Sequence, residues 1–180
     1  MRERLVQLLR ELSYRRTRVV LASGRESDFY VDGRQTTLNS EGAWLIGNLV
    51  YDALEPEVRG VGGMVVGADP IAAAVAAVSF HRGRPVHAFL VRKEPKQHGT
   101  GRTVEGRASL PDGTPVCVVE DTTTTGGSLL KAVDRCEAEG LRVVQCLTIV
   151  DREEGAREAL AERGLRLDVL VRRHELEGGG

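Results

Sequence analysis

Little in this sequence offers a source of stability other than an ordinary hydrophobic core. Cysteine is scarce: Cys117, Cys136 and Cys146 are the only three, each lies among apolar residues, and no C-x-x-C spacing or nearby histidine points to a metal site or redox pair. They read as reduced core residues. Aromatics make up only 4% of the chain, and no apolar run approaches the roughly 20 residues of a membrane helix. The amino-terminal MRERLVQLLRELSYRR interleaves charge with leucine instead of building a signal-peptide core, so a soluble, cytoplasmic protein with no membrane partner is expected. An excess of one charge is missing too. With 25 basic against 26 acidic side chains the net charge is −1, which excludes the strongly basic footprint of a dedicated nucleic-acid binder. What remains is 180 residues, 41% of them hydrophobic: one domain, long enough to bury roughly 70% of its unfolded surface.

Leu5, Leu8, Leu9 and Leu12 recur at helical spacing, which predicts an amphipathic helix over 2–13. Val19, Val20 and Leu21 lead into SGRESDFYVDGRQTTL, where Gly24 and Gly33 bracket a Phe29-Tyr30-Val31 stretch able to pair as a strand or hairpin. Asn39 or Ser40 caps the next helix, which Pro56 stops. A strand–glycine turn–helix pattern then repeats. Met64 to Val66 precedes an all-apolar, buried helix at 71–80, and Val86 to Val91 is a strand. Val116 to Val119 precedes a helix from about Ser128 to Glu139 with Gly140 as its C′ residue, and Val143 to Val150 and Val169 to Val171 follow. Trp44 and Phe80 are expected in the core, and Glu-Gly-Gly-Gly as a frayed tail. The fold class is α/β: a doubly wound parallel sheet with helices on both faces.

In such sheets ligands sit beyond the carboxyl ends of the strands. Three loops there are unusual. In Glu120-Asp121-Thr122-Thr123-Thr124-Thr125-Gly126-Gly127-Ser128, two carboxylates can accept hydrogen bonds from the adjacent hydroxyls of a ribose, while the glycines, the hydroxyls and the first helical N–H groups suit a phosphate. A bare turn with a cap would explain Asp121 or Ser128 alone, but not the whole string. It is neither a Walker loop nor a dinucleotide fingerprint, since the glycines at 60, 62, 63 and 67 precede and span a strand. The second loop runs from Arg92 to about Pro115. Arg92, Lys93, Lys96, Arg102 and Arg107 face only Glu94 and Glu105 between 92 and 107, and more than a dozen residues without regular structure suggest either an anion-binding lid or a solvated surface loop. The third is Asp151-Arg152-Glu153-Glu154, whose guanidinium can meet a planar carboxylate or imide or pair with neighbouring acids. His81, His87 and His174 have no second ligand at metal spacing.

Together these loops resemble the type I phosphoribosyltransferases, and more narrowly the orotate phosphoribosyltransferases. VVEDTTTTGGS is similar to the family's phosphoribosyl-pyrophosphate (PRPP) motif, VRKEPKQHGTGRTVEG to its mobile catalytic loop, and SGRESDFYVDGRQTT to its hood. The R-K-E-x-K-x-H-G arrangement is the discriminating string. The resemblance covers about residues 18–155 and implies a single domain over 1–180, with a small N-terminal hood mainly from about 1–40 and the catalytic loop at about 92–115. It implies that Glu120 and Asp121 hold the ribose hydroxyls while the run from Thr122 through Ser128 completes the PRPP site, with Thr124 to Ser128 around the 5′-phosphate. Thr124 and Arg152 would contact orotate. Arg92, Lys93, Lys96 and His98 would hold the departing pyrophosphate, with Lys96, His98 and Asp121 as the catalytic set. A homodimer is implied, its loop reaching the neighbouring site. Mg²⁺ is implied too, carried by the pyrophosphate and water rather than by a protein cage.

Two positions depart from the family pattern. Ala22 stands where many members have lysine before the hood Ser-Gly, and Gly67-Ala68-Asp69-Pro70 stands where many have a lysine-bearing loop. Backbone N–H groups around Ala68 to Ile71 are the expected substitute. The rival readings are a phosphoribosyltransferase for another base and a nucleotide-sensing regulatory relative. The complete loop and Arg152 count against the first; the absence of spare length or basic surplus counts against the second.

Overall fold

A computed structural model describes residues 1–17, 19–20, 26–27, 29–94 and 102–178. In chain order the elements are α1 (Arg2–Leu12), β1 (Tyr14–Arg15), β2 (Val19–Val20), β3 (Glu26–Ser27), β4 (Tyr30–Val31), α2 (Arg34–Thr37), α3 (Ser40–Ala53), β5 (Gly60–Met64), α4 (Asp69–His81) and β6 (His87–Val91). They continue with β7 (Val104–Glu105), a 3₁₀ turn at Arg107–Ser109, β8 (Pro115–Thr123), α5 (Gly127–Ala138), β9 (Arg142–Asp151), α6 (Ala156–Glu162), β10 (Leu167–Arg172) and α7 (Arg173–Glu177).

The main sheet has six strands in the order β10-β9-β8-β5-β6-β7; all pair in parallel except β7, which runs antiparallel along β6. Its inner strands bury both faces. In β8, Cys117 and Val119 join Leu5, Leu9, Ile46, Ile71 and Val75 of α1, α3 and α4, while Val116 and Val118 join Leu129, Val133 and Leu160 of α5 and α6. Helices therefore cover both faces, as the alternation of strand and helix implies. Asn39 caps α3 by accepting from the Glu41 and Gly42 N–H groups at 3.0 and 3.1 Å. The hood is two small ribbons, β1 with β4 and β2 with β3, so Tyr30-Val31 pairs with Tyr14-Arg15 rather than in a local hairpin. All three cysteines are free and buried; burial pushes the Cys136 and Cys146 thiols up to about 12.

Several boundaries differ from the sequence reading. The strand expected at Met64–Val66 is Gly60–Met64. It runs between β6 and β8 at such close quarters that a Cβ on Gly62 would lie 2.0 Å from the Phe89 carbonyl oxygen, and one on Gly63 2.1 Å from that of Val119. β8 continues through Thr123, because its ladder with β9 extends to Thr123 opposite Asp151. The long stretch after Arg92 is shorter than expected: Val104 and Glu105 pair with Val91 and Leu90, and the 3₁₀ turn follows.

Trp44 and Phe80 are 58% and 79% exposed, not core. The α3 stripe that meets the core is Leu45, Ile46 and Val50, and that of α4 is Ile71, Ala72, Val75 and Ser79. A helix apolar all round does not disclose from its residues which side is buried, so α4 is only half covered. The short α6 carries too few periodic residues to stand out. Glu177 of the expected tail closes α7, paired with Arg173 at 2.6 Å.

Candidate functional site

Sheet order decides where a ligand can sit. From β5 the chain steps outward to β6 on one side, then returns to place β8, β9 and β10 on the other. The crevice beyond the ends of β5 and β8 is therefore the topological switch point, where open parallel sheets bind ligands. A cavity of about 260 Å³ opens there. Glu120, Asp121, Thr122 and Ser128 form its floor, the turn after β5 (Met64 to Gly67) one wall, and hood residues Tyr30 to Arg34 the roof, with Lys93 at its edge.

Asp121 is gripped between two backbone segments. A Cβ on Gly67 would lie 2.5 Å from its Oδ1, and one on Gly33 2.8 Å from its Oδ2. No side chain fits at either place, so the hood and the β5 turn close directly onto this carboxylate. Burial raises its pKa, partly opposed by the Thr122 backbone N–H and the nearby Arg34 guanidinium. Glu120 is pushed further, to about 8, by burial first and the Asp121 charge second, against a hydrogen bond from Ser128. The Thr122 hydroxyl is buried with no hydrogen-bond partner among the described residues, and so is available to a ligand. Thr123 is 2% exposed, its carbonyl accepting from the Arg152 N–H at 3.0 Å. Gly126, at φ +81°, turns the chain into α5, and Ser128 in its first turn lines the crevice.

The β8–β9 ladder thus brings Arg152 beside the threonine loop. Its side chain is 6% exposed and pairs with Glu154 at 2.9 Å, the neighbouring-acid contact its sequence allows, while its guanidinium lies 4.4 Å from the centre of the Phe29 ring. Arg92 turns to Glu105 at 3.4 Å. Lys96 and His98 lie outside the described residues, as does Ala22. Of the backbone donors expected to replace the missing lysines, Ala68 and Asp69 already donate to the Met64 and Val66 carbonyls at 3.2 and 3.4 Å, and Pro70 has no N–H. Local turn closure consumes them, so that expectation fails for Ala68 through Pro70.

Sequence reasoning missed Asp32 and Arg34, an ion pair at 2.8 Å lining the roof. The adjacent opposite charges around Gly33 were the only signal, and a surface turn carries the same pattern. It also missed Arg135 and Glu139 on the far end of α5. Arg135 donates to the Arg92 carbonyl and, at 2.6 Å, to that of Lys93, while Glu139 accepts from the Thr103 N–H and hydroxyl at 2.5 and 2.7 Å and the Val104 N–H at 2.9 Å. Both stems of the 94–102 stretch are held by one helix.

Glu120 gives a pH prediction. A carboxyl whose pKa rises from 4.5 to about 8 on folding keeps a proton that the unfolded chain has already released, so its contribution to stability is lost as pH rises through that window. Glu120→Gln should therefore gain stability relative to the parent between pH 5 and pH 8, on the order of a few kcal/mol. Thermal unfolding of both proteins at the two pH values, without ligand, checks this. An equal difference at both would mean that Glu120 titrates as an ordinary carboxylate.

Paired acids for a diol and a helix opening for a phosphate, set at the switch point beneath a hood, define a phosphoribosyltransferase of type I. The comparisons agree and narrow it. The phosphoribosyl transferase domain family matches residues 62–164. An orotate phosphoribosyltransferase of Sorangium cellulosum is 49% identical, over 97% of this chain and 92% of its own. Crystal structures of Mycobacterium tuberculosis orotate phosphoribosyltransferase superpose with TM-scores of 0.85 for a complex with Fe(III) dicitrate and 0.81 for one with PRPP. These are 44% and 41% identical and cover 97% and 98% of this chain, and 98% of theirs. The chain belongs to the orotate phosphoribosyltransferase family.

Proposed function

We propose that this protein transfers the phosphoribosyl group of PRPP to orotate, giving orotidine 5′-monophosphate and pyrophosphate, a step of pyrimidine synthesis. The observation that carries the choice of base is the buried Arg152, whose backbone N–H ties it to the Thr123 carbonyl at the end of the threonine-bearing strand and whose guanidinium is held by Glu154 and the Phe29 ring. A purine site has no need of a cation fixed there, whereas orotate has a carboxylate for it to read.

The roles follow from the chemistry. As the bond from C1′ to pyrophosphate breaks and one from C1′ to the base nitrogen forms, positive charge develops on the ribose and negative charge on the leaving group. Glu120 and Asp121 orient the ribose hydroxyls, and Asp121 in addition offers charge to the ribose. Thr124, Thr125, Gly126, Gly127 and Ser128 receive the 5′-phosphate. Lys93, with Arg92, Lys96 and His98, stabilises the pyrophosphate and excludes water from the ribose cation. Thr124 and Arg152 read the base. Among the described residues no group of three or more His, Cys, Asp or Glu side chains gathers as a metal cage. Two carboxylates beside a pyrophosphate subsite suit Mg²⁺ that arrives on the substrate and keeps its waters; bound there, it neutralises leaving-group charge.

A homodimer belongs to the same proposal. Trp44, Phe80, Ala73 and Ala77 give α3 and α4 an exposed apolar outer face suited to a second copy. No described helix is long and apolar enough to cross a membrane; a cytoplasmic location is part of the proposal.

The test is to mix protein, Mg²⁺ and PRPP with orotate, and in parallel with hypoxanthine, guanine or uracil, following base absorbance. Orotate alone should be consumed. Lys96→Ala should lower kcat about a hundredfold while moving the PRPP dissociation constant far less. Turnover of a purine, or PRPP binding with no turnover of any base, would sink the reading.

A further inference from the structure

Resting on Arg152 as the reader of the orotate carboxylate, the geometry points to Phe29 and Arg173 as positioning residues that set base affinity without touching the base. A guanidinium recognises a carboxylate through two parallel N–H bonds only if its plane is fixed. Among the described residues, Glu154 meets one nitrogen at 2.9 Å and the Phe29 ring lies under the carbon at 4.4 Å, and both restrict that plane.

Among the described residues, Phe29 is itself anchored from two directions. It is 2% exposed, and its ring stacks on Tyr14 of β1 at 6.3 Å between centroids and 21° between planes. The second anchor is Arg173, whose guanidinium carbon lies 3.9 Å from the same ring centre. Arg173 opens α7 directly after β10 and is tied to Glu177 at 2.6 Å. An aromatic face attracts cations through its quadrupole, most strongly where water is excluded. One ring therefore joins three distant parts of the chain, the hood, the end of β9 and the β10–α7 junction, at the side chain assigned to the base. The contact with Arg152 needs the π face, which an aliphatic side chain of similar bulk lacks. Loss of Phe29 removes one restraint on the guanidinium plane directly, and loss of Arg173 weakens it through the ring, while neither residue lines the cavity floor.

Steady-state kinetics of the full chain, with orotate and PRPP varied separately, test this. Arg152→Met, Phe29→Leu and Arg173→Met should each raise KM for orotate, the latter two about fivefold, with KM for PRPP unmoved; Phe29→Tyr, which keeps the π face, should match the parent. Should Phe29→Leu fail to fold, the partly exposed Arg173→Met carries the same expectation. If Arg152→Met raises the orotate KM but Phe29→Leu and Arg173→Met do not, or if they raise both KM values alike, the positioning role is wrong while the reading of Arg152 stands. If Arg152→Met itself leaves the orotate KM unchanged, that reading is wrong and this inference falls with it.

Discussion

Asp121→Asn is expected to lower kcat by about a hundredfold or more while leaving the fold intact, because the substitution keeps the shape and removes only the charge. Shape is critical at this position. The backbone at Gly33 and Gly67 approaches so closely that a Cβ at either would come within 2.8 Å of the carboxylate oxygens, and a larger or smaller side chain would disturb both hood and turn. Charge is the separate matter. Burial raises the Asp121 pKa, so ionised Asp121 sits in a medium that screens poorly and acts strongly on any cation that develops nearby. The ribose becomes such a cation only as the pyrophosphate leaves, so the loss should fall on kcat more than on PRPP affinity. Saturating kinetics and PRPP calorimetry on parent and variant separate the two. A raised carboxylate pKa means the charge is not stabilising the free fold, so the melting temperature of the variant should be no lower. A loss confined to PRPP affinity would leave Asp121 as a binding group alone.

The second large effect is expected far from the cavity floor. Arg135→Ala should lower kcat by tens of fold, and combining it with Glu139→Gln should deepen the loss, with the 5′-phosphate subsite unaffected. Helix α5 spans about 18 Å: its first turn brings Ser128 to the crevice, where the proposed reading puts the 5′-phosphate, and its last turns hold Arg92 and Lys93 on one stem and Thr103 and Val104 on the other. Those stems set where Lys93, at the edge of the cavity, can reach, and so bear on the pyrophosphate role proposed for it. A displacement of about 1 Å in a charged group costs up to a hundredfold in rate, and truncating a charged hydrogen-bond partner is enough to release it. Kinetics of the single and double variants, with thermal unfolding as control, read this out. Unchanged kcat with a lowered melting temperature would reduce Arg135 to a structural tie.

The chemistry of the main loop was legible because it is contiguous. Glu120 to Ser128 sit on one strand end and one helix start, so the acids, hydroxyls and glycines of the proposed ribose-phosphate site stand next to one another in the sequence. Arg34, Arg135 and Glu139 were not legible: each reaches its place through sheet order or helix length, and an arginine in a turn or on a helix surface carries no mark of what it faces. Trp44 and Phe80 misled for the related reason that apolar character states what a side chain prefers, not whether this chain alone can cover it.

Composition and periodicity by themselves determined the class of fold and the free, buried cysteines, and the local sequence marked the loop proposed for the ribose phosphate, since these depend on near neighbours and on the two regular spacings of helix and strand. Only the tertiary structure decided that the hood closes on Asp121, that burial raises the Glu120 pKa, that the donors near Ala68 are spent, and that Phe29 joins Arg152 to Arg173. Each of these depends on distance through space between residues remote in the chain, and on the burial that follows. A one-dimensional pattern does not encode that distance.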